Sequence, residues 1–207
     1  MCVIIAKPSG KEMPKKTVLE KCWHSNIDGA GFSVTQKDGS ILIKKGFMNF
    51  PDFFSAVSTC EKSDTVVIHF RRTTQGTTNP GLTHPFPLDF SKREERMREL
   101  AINTCCAVSH NGDIPMTGTR KFRKSFPDSS DTEIFVRDYM PKLVEKLEDL
   151  KDSTKLEILQ ALIGPTSKLA IHTKEGIQLV GWFDEQDGVY FSNFTNSVNF
   201  DMFKKIQ

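Results

Sequence analysis

The sequence lacks any long hydrophobic run. The longest apolar stretch near the N-terminus covers residues 2–6, far short of the apolar core of a secretion signal or the ~18 residues of a membrane-spanning helix. No other segment approaches that length. We therefore expect a soluble, cytoplasmic protein with no membrane partner.

The chain also lacks a strong excess of charge of one sign. Its 28 lysines and arginines are balanced by 26 aspartates and glutamates, for a formal net charge of +2. Nucleic-acid-binding domains usually carry a large basic excess, so the composition gives no support to nucleic acid as a partner. The charged stretch 92–99 mixes four basic and three acidic side chains, which is typical of a solvated surface.

Cysteine and histidine are scarce, and neither is spaced as a metal site. The cysteines number five, an odd count, and no export signal accompanies them, so we expect reduced thiols rather than a disulfide framework. The five histidines show no helical metal-ligand spacing. We predict no metal and no organic cofactor.

The apolar content is ordinary. Hydrophobic residues make up 38% of the 207 residues, and with the 13 glycines this lies close to the composition of globular proteins. Such a composition favours a packed core over global disorder. We predict that residues 1–207 form a single domain, with no internal repeat and no linker.

Hydrophobic periodicity predicts strands both early and late, with helices between them. The predicted strands are at 3–6, 31–34, 41–43, 66–70, 104–109, near 169, 177–180 and 189–191. One predicted helix begins at Pro14, and others cover 53–60, 131–150 and 156–163. Pro141 should kink or split the helix at 131–150. Residues 73–91 are predicted to form a long loop. The arrangement is α+β, without the regular alternation of a doubly wound fold.

Cys2 stands out because of its position in the chain. Removal of the initiator methionine, which a small second residue favours, would leave Cys2 with a free α-amine. That amine titrates at ~7.7–8.0, so near neutral pH it can accept the proton of the neighbouring thiol. An N-terminal nucleophile can thus carry its own general base. The alternative is a cysteine without a chemical role in a first strand.

Two charged residues suit an amino-acid ligand. Arg71 follows a predicted strand, where its guanidinium can bind a carboxylate through two hydrogen bonds. Asp131 lies at the start of a predicted helix, where Ser130 and Glu133 have the spacing of a capping box. The helix dipole favours a carboxylate at this position. The same carboxylate could equally bind the ammonium group of a ligand. A surface arginine and an ordinary helix start are the structural alternatives.

Two glycine-containing segments each have a structural and a chemical interpretation. Residues 28–32, Asp-Gly-Ala-Gly-Phe, fail as a phosphate loop because no Lys-Ser/Thr follows and no helix starts, which favours an ordinary turn. Asn111 and Gly112 are a typical hairpin-turn pair. They also supply a side-chain amide and a backbone N–H that can converge on one oxyanion.

The order of these segments resembles that of the class II, N-terminal-nucleophile glutamine amidotransferases. The matching segments are Cys2, Asp-Gly-x-Gly-Phe, His-x-Arg-x-x-Thr-x-Gly from 69, His-Pro-Phe from 84, His-Asn-Gly-x-Ile from 110 and Ser-Asp-Thr-Glu from 130. The resemblance extends over residues 1–195 and implies a four-layer αββα sandwich with two mainly antiparallel sheets.

The resemblance implies three catalytic residues. Cys2 would attack the side-chain amide of glutamine with its own α-amine as base, ammonia would leave, and water would hydrolyse the γ-glutamyl thioester. Asn111 and the N–H of Gly112 match the oxyanion hole of the family.

The resemblance also implies the substrate-binding residues. Arg71 matches the residue that binds the α-carboxylate of glutamine, and Asp131 matches the one that binds the α-ammonium. Thr74 and Gln75 match positions that line the glutamine pocket. Arg72 stands where many members have an aromatic residue, which bears on the packing of the loop and not on the chemistry.

Other functions stay open at this stage. The chain could be an N-terminal-nucleophile amidase for another linear amide, or a non-catalytic module that binds glutamine and docks to a synthase. We expect the ammonia either to pass to a separate synthase or acceptor chain or to be released by a free-standing amidase.

Overall fold

The computed structural model describes residues 2–74, 76–88, 94–115 and 125–193. These residues form eleven strands and four α-helices, so the α+β class predicted from the sequence is confirmed. The strands are β1 Val3–Lys7, β2 Ala30–Thr35, β3 Ile41–Phe47, β4 Val66–Phe70, β5 Phe86–Pro87, β6 Ala101–Thr104, β7 Cys106–Asn111, β8 Lys168–Thr173, β9 Gly176–Val180, β10 Asp184–Gln186 and β11 Val189–Phe191. The helices are α1 Lys16–Ser25, α2 Phe50–Val57, α3 Asp131–Ile134 and α4 Ser153–Ile163.

The strands form two antiparallel sheets. Sheet A has seven strands in the order β10-β11-β1-β4-β2-β3-β6, and sheet B has four in the order β5-β7-β8-β9. Strand β1 lies inside sheet A, with β11 on one side and β4 on the other. Its register pairs Val3 with Phe70 and Ile4 with His69. The residue that precedes β1 is therefore brought beside the residues that follow β4.

Alternate side chains of β1 point into two different hydrophobic clusters. Val3 and Ile5 belong to a cluster that includes Leu19 of α1 and other residues of both α1 and α2. Ile4 belongs to a second cluster, which includes Ala170 of β8 in sheet B. Side chains of a strand alternate between the two faces of the sheet, so sheet A is covered by helices on one face and by sheet B on the other.

The second face of sheet B packs against the helical part of the chain from 134 to 163. That cluster contains Val108 and Ile171 of the sheet together with Phe135, Val144 and Leu159. In the described parts of the chain, no helix is long and apolar enough to cross a membrane.

A histidine links the two sheets. His172 of β8 lies between two hydroxyl groups of β2, with Nδ1 2.8 Å from Ser33 Oγ and Nε2 2.9 Å from Thr35 Oγ1. Burial lowers the pKa of His172 to about 3. A neutral imidazole has one N–H and one lone pair, so one hydroxyl donates to the ring and the other accepts from it.

The predicted helix 131–150 is the largest difference between prediction and structure. The α-helix ends at Ile134. The chain then forms a π-helical turn at Phe135–Tyr139, followed by 3₁₀ turns at Met140–Lys142 and Leu147–Lys151. Pro141, expected to kink or split the helix, lies inside the first 3₁₀ turn. Proline removes a backbone donor and clashes with the preceding turn. The spacing of apolar residues does not show where the α-helix ends as a result.

The predicted loop and strand boundaries also differ. Residues 73–91 contain a 3₁₀ turn at Pro80–Leu82 and the short strand β5. The predicted strand 104–109 is two strands, β6 and β7, that belong to different sheets and are separated by Cys105. Strand β10 was not predicted, because its polar residues Asp184–Gln186 carry no hydrophobic alternation.

We predict that the protein loses stability as the pH falls below about 6.5, because two buried histidines stay neutral in the fold. Burial lowers the pKa of His69 and of His172 to about 3. Between the folded and unfolded pKa values the unfolded chain binds protons that the folded chain excludes. Each histidine therefore removes about 1.4 kcal/mol of unfolding free energy per pH unit.

Urea unfolding from pH ~7 to ~5 measures this slope. The variant His172→Gln keeps a donor and an acceptor but does not titrate, so its free energy of unfolding should decline less steeply. A slope equal to that of the wild type would contradict the assignment of His172.

Candidate active site

Cys2 lies at the start of β1, directly against the backbone that follows β4. The N–H of Arg72 donates to Sγ over 3.3 Å, and the carbonyl oxygen of Arg72 lies 3.4 Å from the same atom. Burial raises the pKa of the Cys2 thiol, and the Arg72 N–H and the positive charge of Arg71 oppose that rise only in part. The resting thiol is therefore protonated at neutral pH, and it needs a nearby base to become a nucleophile.

Four of the predicted site residues line a small cavity together with Cys2. Arg71, Thr74, Gly112 and Asp131 line it together with Cys2, although they come from four separate parts of the chain. Its volume is about 20 Å³, which is room for about one water molecule. An amino acid is larger than this enclosed space, and the site is partly open to solvent.

Arg71 is held by the backbone of the 28–32 segment. Its N–H donates to Gly29 O over 2.8 Å, and its carbonyl accepts from Asp28 N over 3.1 Å. The side chain is almost fully buried, and Nη1 donates to Thr77 O over 2.9 Å. Gly29 has a φ of +110°, and a Cβ there would lie 2.7 Å from the Thr83 methyl. The segment is thus the start of a strand in close contact with the site, and the ordinary-turn interpretation is too simple.

The Asp131 carboxylate ties the start of α3 to the chain after β7. Oδ1 accepts from the N–H and the hydroxyl of Thr132, at 2.7 and 3.2 Å, and Oδ2 accepts from the N–H of Ile114 at 3.0 Å. A carboxylate has about four lone-pair sites. One acceptor position therefore remains for a donor in the cavity.

Only half of the predicted capping box is present. Ser130 Oγ accepts from the N–H of Glu133 over 3.1 Å. The carboxylate of Glu133 instead accepts from Arg98, with Nη2 2.9 Å from Oε2. Arg98 belongs to the charged stretch 92–99, so this stretch is not simply a solvated surface as predicted. Residues 92 and 93 lie outside the described residues.

Three buried histidines support the back of the cavity. His69 Nε2 donates to His110 O over 3.0 Å, and the N–H of His110 donates to His84 Nδ1 over 3.2 Å. His110 Nδ1 lies 2.9 Å from Thr132 Oγ1; because that hydroxyl gives its proton to Asp131, Nδ1 is the donor. Burial lowers the pKa of all three histidines, so they are neutral.

Asn111 and Gly112 end β7 but do not form a hairpin turn. The sheet partners of β7 are β5 and β8, so the hairpin interpretation of this pair is wrong. Gly112 has a φ of +139°, and a Cβ would lie 2.8 Å from Ser167 Cα, which requires glycine. Gly112 lines the cavity. Asn111 lies just behind it, fully buried, and its Nδ2 donates to Ser192 Oγ over 2.9 Å.

Thr74 reaches across the cavity to the chain after Gly112. Its hydroxyl donates to Asp113 Oδ1 over 2.9 Å. The preceding Thr73 N–H donates to Asp28 Oδ2 over 2.7 Å. The loop after Arg71 is therefore tied at two points, one on each side. Gln75, the other predicted pocket residue, lies outside the described residues.

Sequence reasoning missed Ser192 and Asn193, which also contact the site. Ser192 Oγ accepts from Asn111 and from the N–H of Ile4, and Asn193 Nδ2 donates to the carbonyl oxygen of Cys2 over 2.7 Å. Both residues follow β11, the other neighbour of β1. Nothing in the sequence signals them, because small polar residues after a strand usually belong to a turn.

Comparison with protein-family models and with curated proteins finds no match for this chain. Among the described residues, no group of three or more His, Cys, Asp or Glu side chains is arranged to hold a metal ion. The chemistry of the site is therefore derived from its own residues: a thiol, an arginine, a carboxylate and a backbone N–H at one cavity.

We predict that Asp131→Asn lowers the free energy of unfolding by about 1–3 kcal/mol, because the carboxylate accepts backbone N–H groups on both oxygens. An amide has only one oxygen, so one buried N–H would face an NH₂ group. Urea unfolding at neutral pH measures the change. The matched control is Asp128→Asn, an exposed residue of the same segment, which should remain close to the wild type. Equal stability of the two variants would contradict the structural role of Asp131.

Proposed function

We propose that this chain is the glutaminase domain of a class II glutamine amidotransferase, in which Cys2 hydrolyses the side-chain amide of glutamine to glutamate and ammonia. One observation carries the proposal: Cys2, Arg71, Gly112 and Asp131 line a single cavity. They lie far apart in the sequence, and each matches a different residue of the family's site. The residues 1–207 are proposed to be this one domain.

The charges of the cavity match those of an amino acid. Glutamine has one carboxylate, one ammonium and one electrophilic amide, and the cavity offers Arg71, Asp131 and a thiol. Both charged side chains are at least nine-tenths buried. An arginine and a carboxylate at one cavity favour a ligand that carries both a carboxylate and an ammonium group. This supports glutamine over a simple linear amide.

The proposed reaction begins with transfer of the Cys2 proton to its own α-amine. Sγ then attacks the amide carbon, and the N–H of Gly112 and the amide of Asn111 stabilise the oxyanion. The α-ammonium returns a proton to the leaving nitrogen, ammonia departs and a thioester remains. Water, deprotonated by the same amine, hydrolyses the thioester to glutamate. Burial raises the pKa of the thiol, so the thiol is protonated at rest and the route requires a base, which the α-amine of the same residue would supply.

The packing of the two sheets supports the family's four-layer αββα fold. Helices α1 and α2 cover the outer face of sheet A, the two sheets face each other, and the helical part from 134 to 163 covers sheet B. We further propose that the ammonia passes to an acceptor held by a separate synthase chain, which would take the place of the synthase domain that is fused to the glutaminase domain in many members of the family.

We predict that purified protein releases glutamate from glutamine and that Cys2→Ala abolishes the release. The rate should rise with pH through ~7.7–8.0, because the α-amine must lose its proton before it can accept one from the thiol. A coupled glutamate assay, with and without cell extract, gives the rate. Mass spectrometry shows whether Met1 has been removed.

The matched control is Cys105→Ala, which removes an exposed thiol outside the cavity and should leave the rate unchanged. Full activity of Cys2→Ala would falsify the proposal. Turnover of other amides but not of glutamine would favour the broader amidase, and glutamine binding without turnover would favour the binding module.

We predict that Arg71→Lys raises KM for glutamine about tenfold or more while kcat falls much less, because a lysine keeps the charge but loses the two-pronged contact with a carboxylate. Steady-state kinetics separate the two constants. Arg137→Lys is the matched control, since this arginine pairs with Asp138 and does not line the cavity. A fall in kcat with unchanged KM would show that Arg71 does not bind the substrate carboxylate.

A further inference from the structure

We propose that Ser192 and Asn193 form a positioning clamp for the reaction, in which Ser192 orients the Asn111 amide and Asn193 orients the nucleophilic residue Cys2. The inference rests on the proposed function, because it assigns the clamp to the same site. It assigns a role to two residues that match none of the motifs by which the site was predicted.

Ser192 is fixed to β1 by two hydrogen bonds. Its Oγ accepts from the N–H of Ile4 at 2.8 Å, and its own N–H donates to the carbonyl of Ile4 at 3.0 Å. The residue is almost completely buried. Its hydroxyl therefore has a fixed position two residues from the nucleophile, and one lone pair is already used. One lone pair and one proton remain for the Asn111 amide.

The Asn111 amide is only half satisfied by the contact that it makes. Nδ2 donates to Ser192 Oγ over 2.9 Å. Oδ1 is buried, with no hydrogen-bond partner among the described residues. The proton of the Ser192 hydroxyl has no acceptor in this contact, because the amide presents a donor to it. A buried carbonyl oxygen without a partner costs free energy, so the reverse orientation of the amide, in which Ser192 donates to Oδ1, is the more stable one.

Rotation of the amide by 180° satisfies both groups. The Ser192 hydroxyl then donates to Oδ1, and Nδ2 takes the position that Oδ1 had. Its N–H groups lack a partner there until an oxyanion forms. In the proposed reaction, all polar groups of the Ser192 hydroxyl and the Asn111 amide are satisfied only when the oxyanion is present. An interaction of this kind stabilises the transition state more than the ground state. Ser192 can play this role because a hydroxyl both accepts and donates.

Asn193 holds the other half of the clamp. Its Nδ2 donates to the carbonyl oxygen of Cys2 over 2.7 Å. That carbonyl belongs to the residue that carries both the thiol and, after removal of Met1, the α-amine. Fixing the carbonyl limits rotation about the Cα–C bond of Cys2 and so fixes the directions of the thiol and the amine relative to β1.

A double-mutant cycle tests the role of Ser192. We expect Ser192→Ala to lower kcat about tenfold to a hundredfold, somewhat less than the loss of an oxyanion donor. In the background Asn111→Ala the same substitution should change kcat by about twofold or less, because Ser192 acts through Asn111. An equal loss in both backgrounds would overturn the role of Ser192.

The matched control is Ser109→Ala in β7. Ser109 is a fully buried serine whose hydroxyl has no hydrogen-bond partner among the described residues. The kcat of the Ser109→Ala variant should stay within about twofold of the wild-type value, as expected for a distant and independent site. A loss as large as that of Ser192→Ala would show that any buried serine hydroxyl matters equally, and would overturn the clamp. Thermal unfolding of each variant accompanies the kinetics.

Alkylation of Cys2 tests the Asn193 half without any substrate. Asn193→Asp replaces the donor by a carboxylate that repels the Cys2 carbonyl. Its negative charge close to the same residue raises the thiol pKa, so iodoacetamide should label Cys2 at least about threefold more slowly. Labelling of Cys105 in the same sample should not change. Equal Cys2 labelling in both proteins would overturn the role of Asn193. If glutamine is not hydrolysed by the wild type, the proposed function fails, whereas this measurement still decides the clamp.

Discussion

The antiparallel pairing of β1 with β4 is the constraint on which the site depends. In this register Val3 lies opposite Phe70, so the residue before β1 meets the residues after β4. Cys2 Sγ thereby accepts a hydrogen bond from the N–H of Arg72, and Arg71 lines the same cavity. Slipping the register by one residue would turn every side chain of β1 to the other face. Both faces are buried here, with Val3 and Ile4 in different clusters, so the cores that stabilise the fold also fix the position of the thiol.

The polar groups around the cavity hold one another, so that few of them are free to move. Asp131 is bound by two backbone N–H groups and one hydroxyl, and His110 reaches it through Thr132. Burial keeps the supporting histidines neutral, so the histidines add no charge beside Arg71 and Asp131. A ligand therefore meets two opposite charges whose surroundings are already ordered. Preorganisation of this kind reduces the free energy that must be spent when a charged group binds.

The enclosed part of the cavity is nevertheless small, about 20 Å³, and the site is partly open to solvent. Thr74 spans it by a hydrogen bond to Asp113, and this contact involves exposed side chains. Exchange of such a bond with water costs little compared with breaking the buried contacts of Asp131 or Asn111. The contact between Thr74 and Asp113 is thus broken more easily than the contacts of the buried residues.

The sequence by itself determined the α+β class, most of the strands and the residue types of the site, since periodicity and chain order record local preference directly. It also supplied Cys2, Arg71, Gly112 and Asp131, which the structure places at one cavity. It did not reveal that the helix from Asp131 ends at Ile134, because the packing around Pro141 decides how far the helix continues. It gave no sign of Ser192 and Asn193, or of the half-satisfied amide of Asn111. Those depend on which strand lies beside β1, and strand neighbours are chosen by packing between distant parts of the chain, which only the tertiary structure decided.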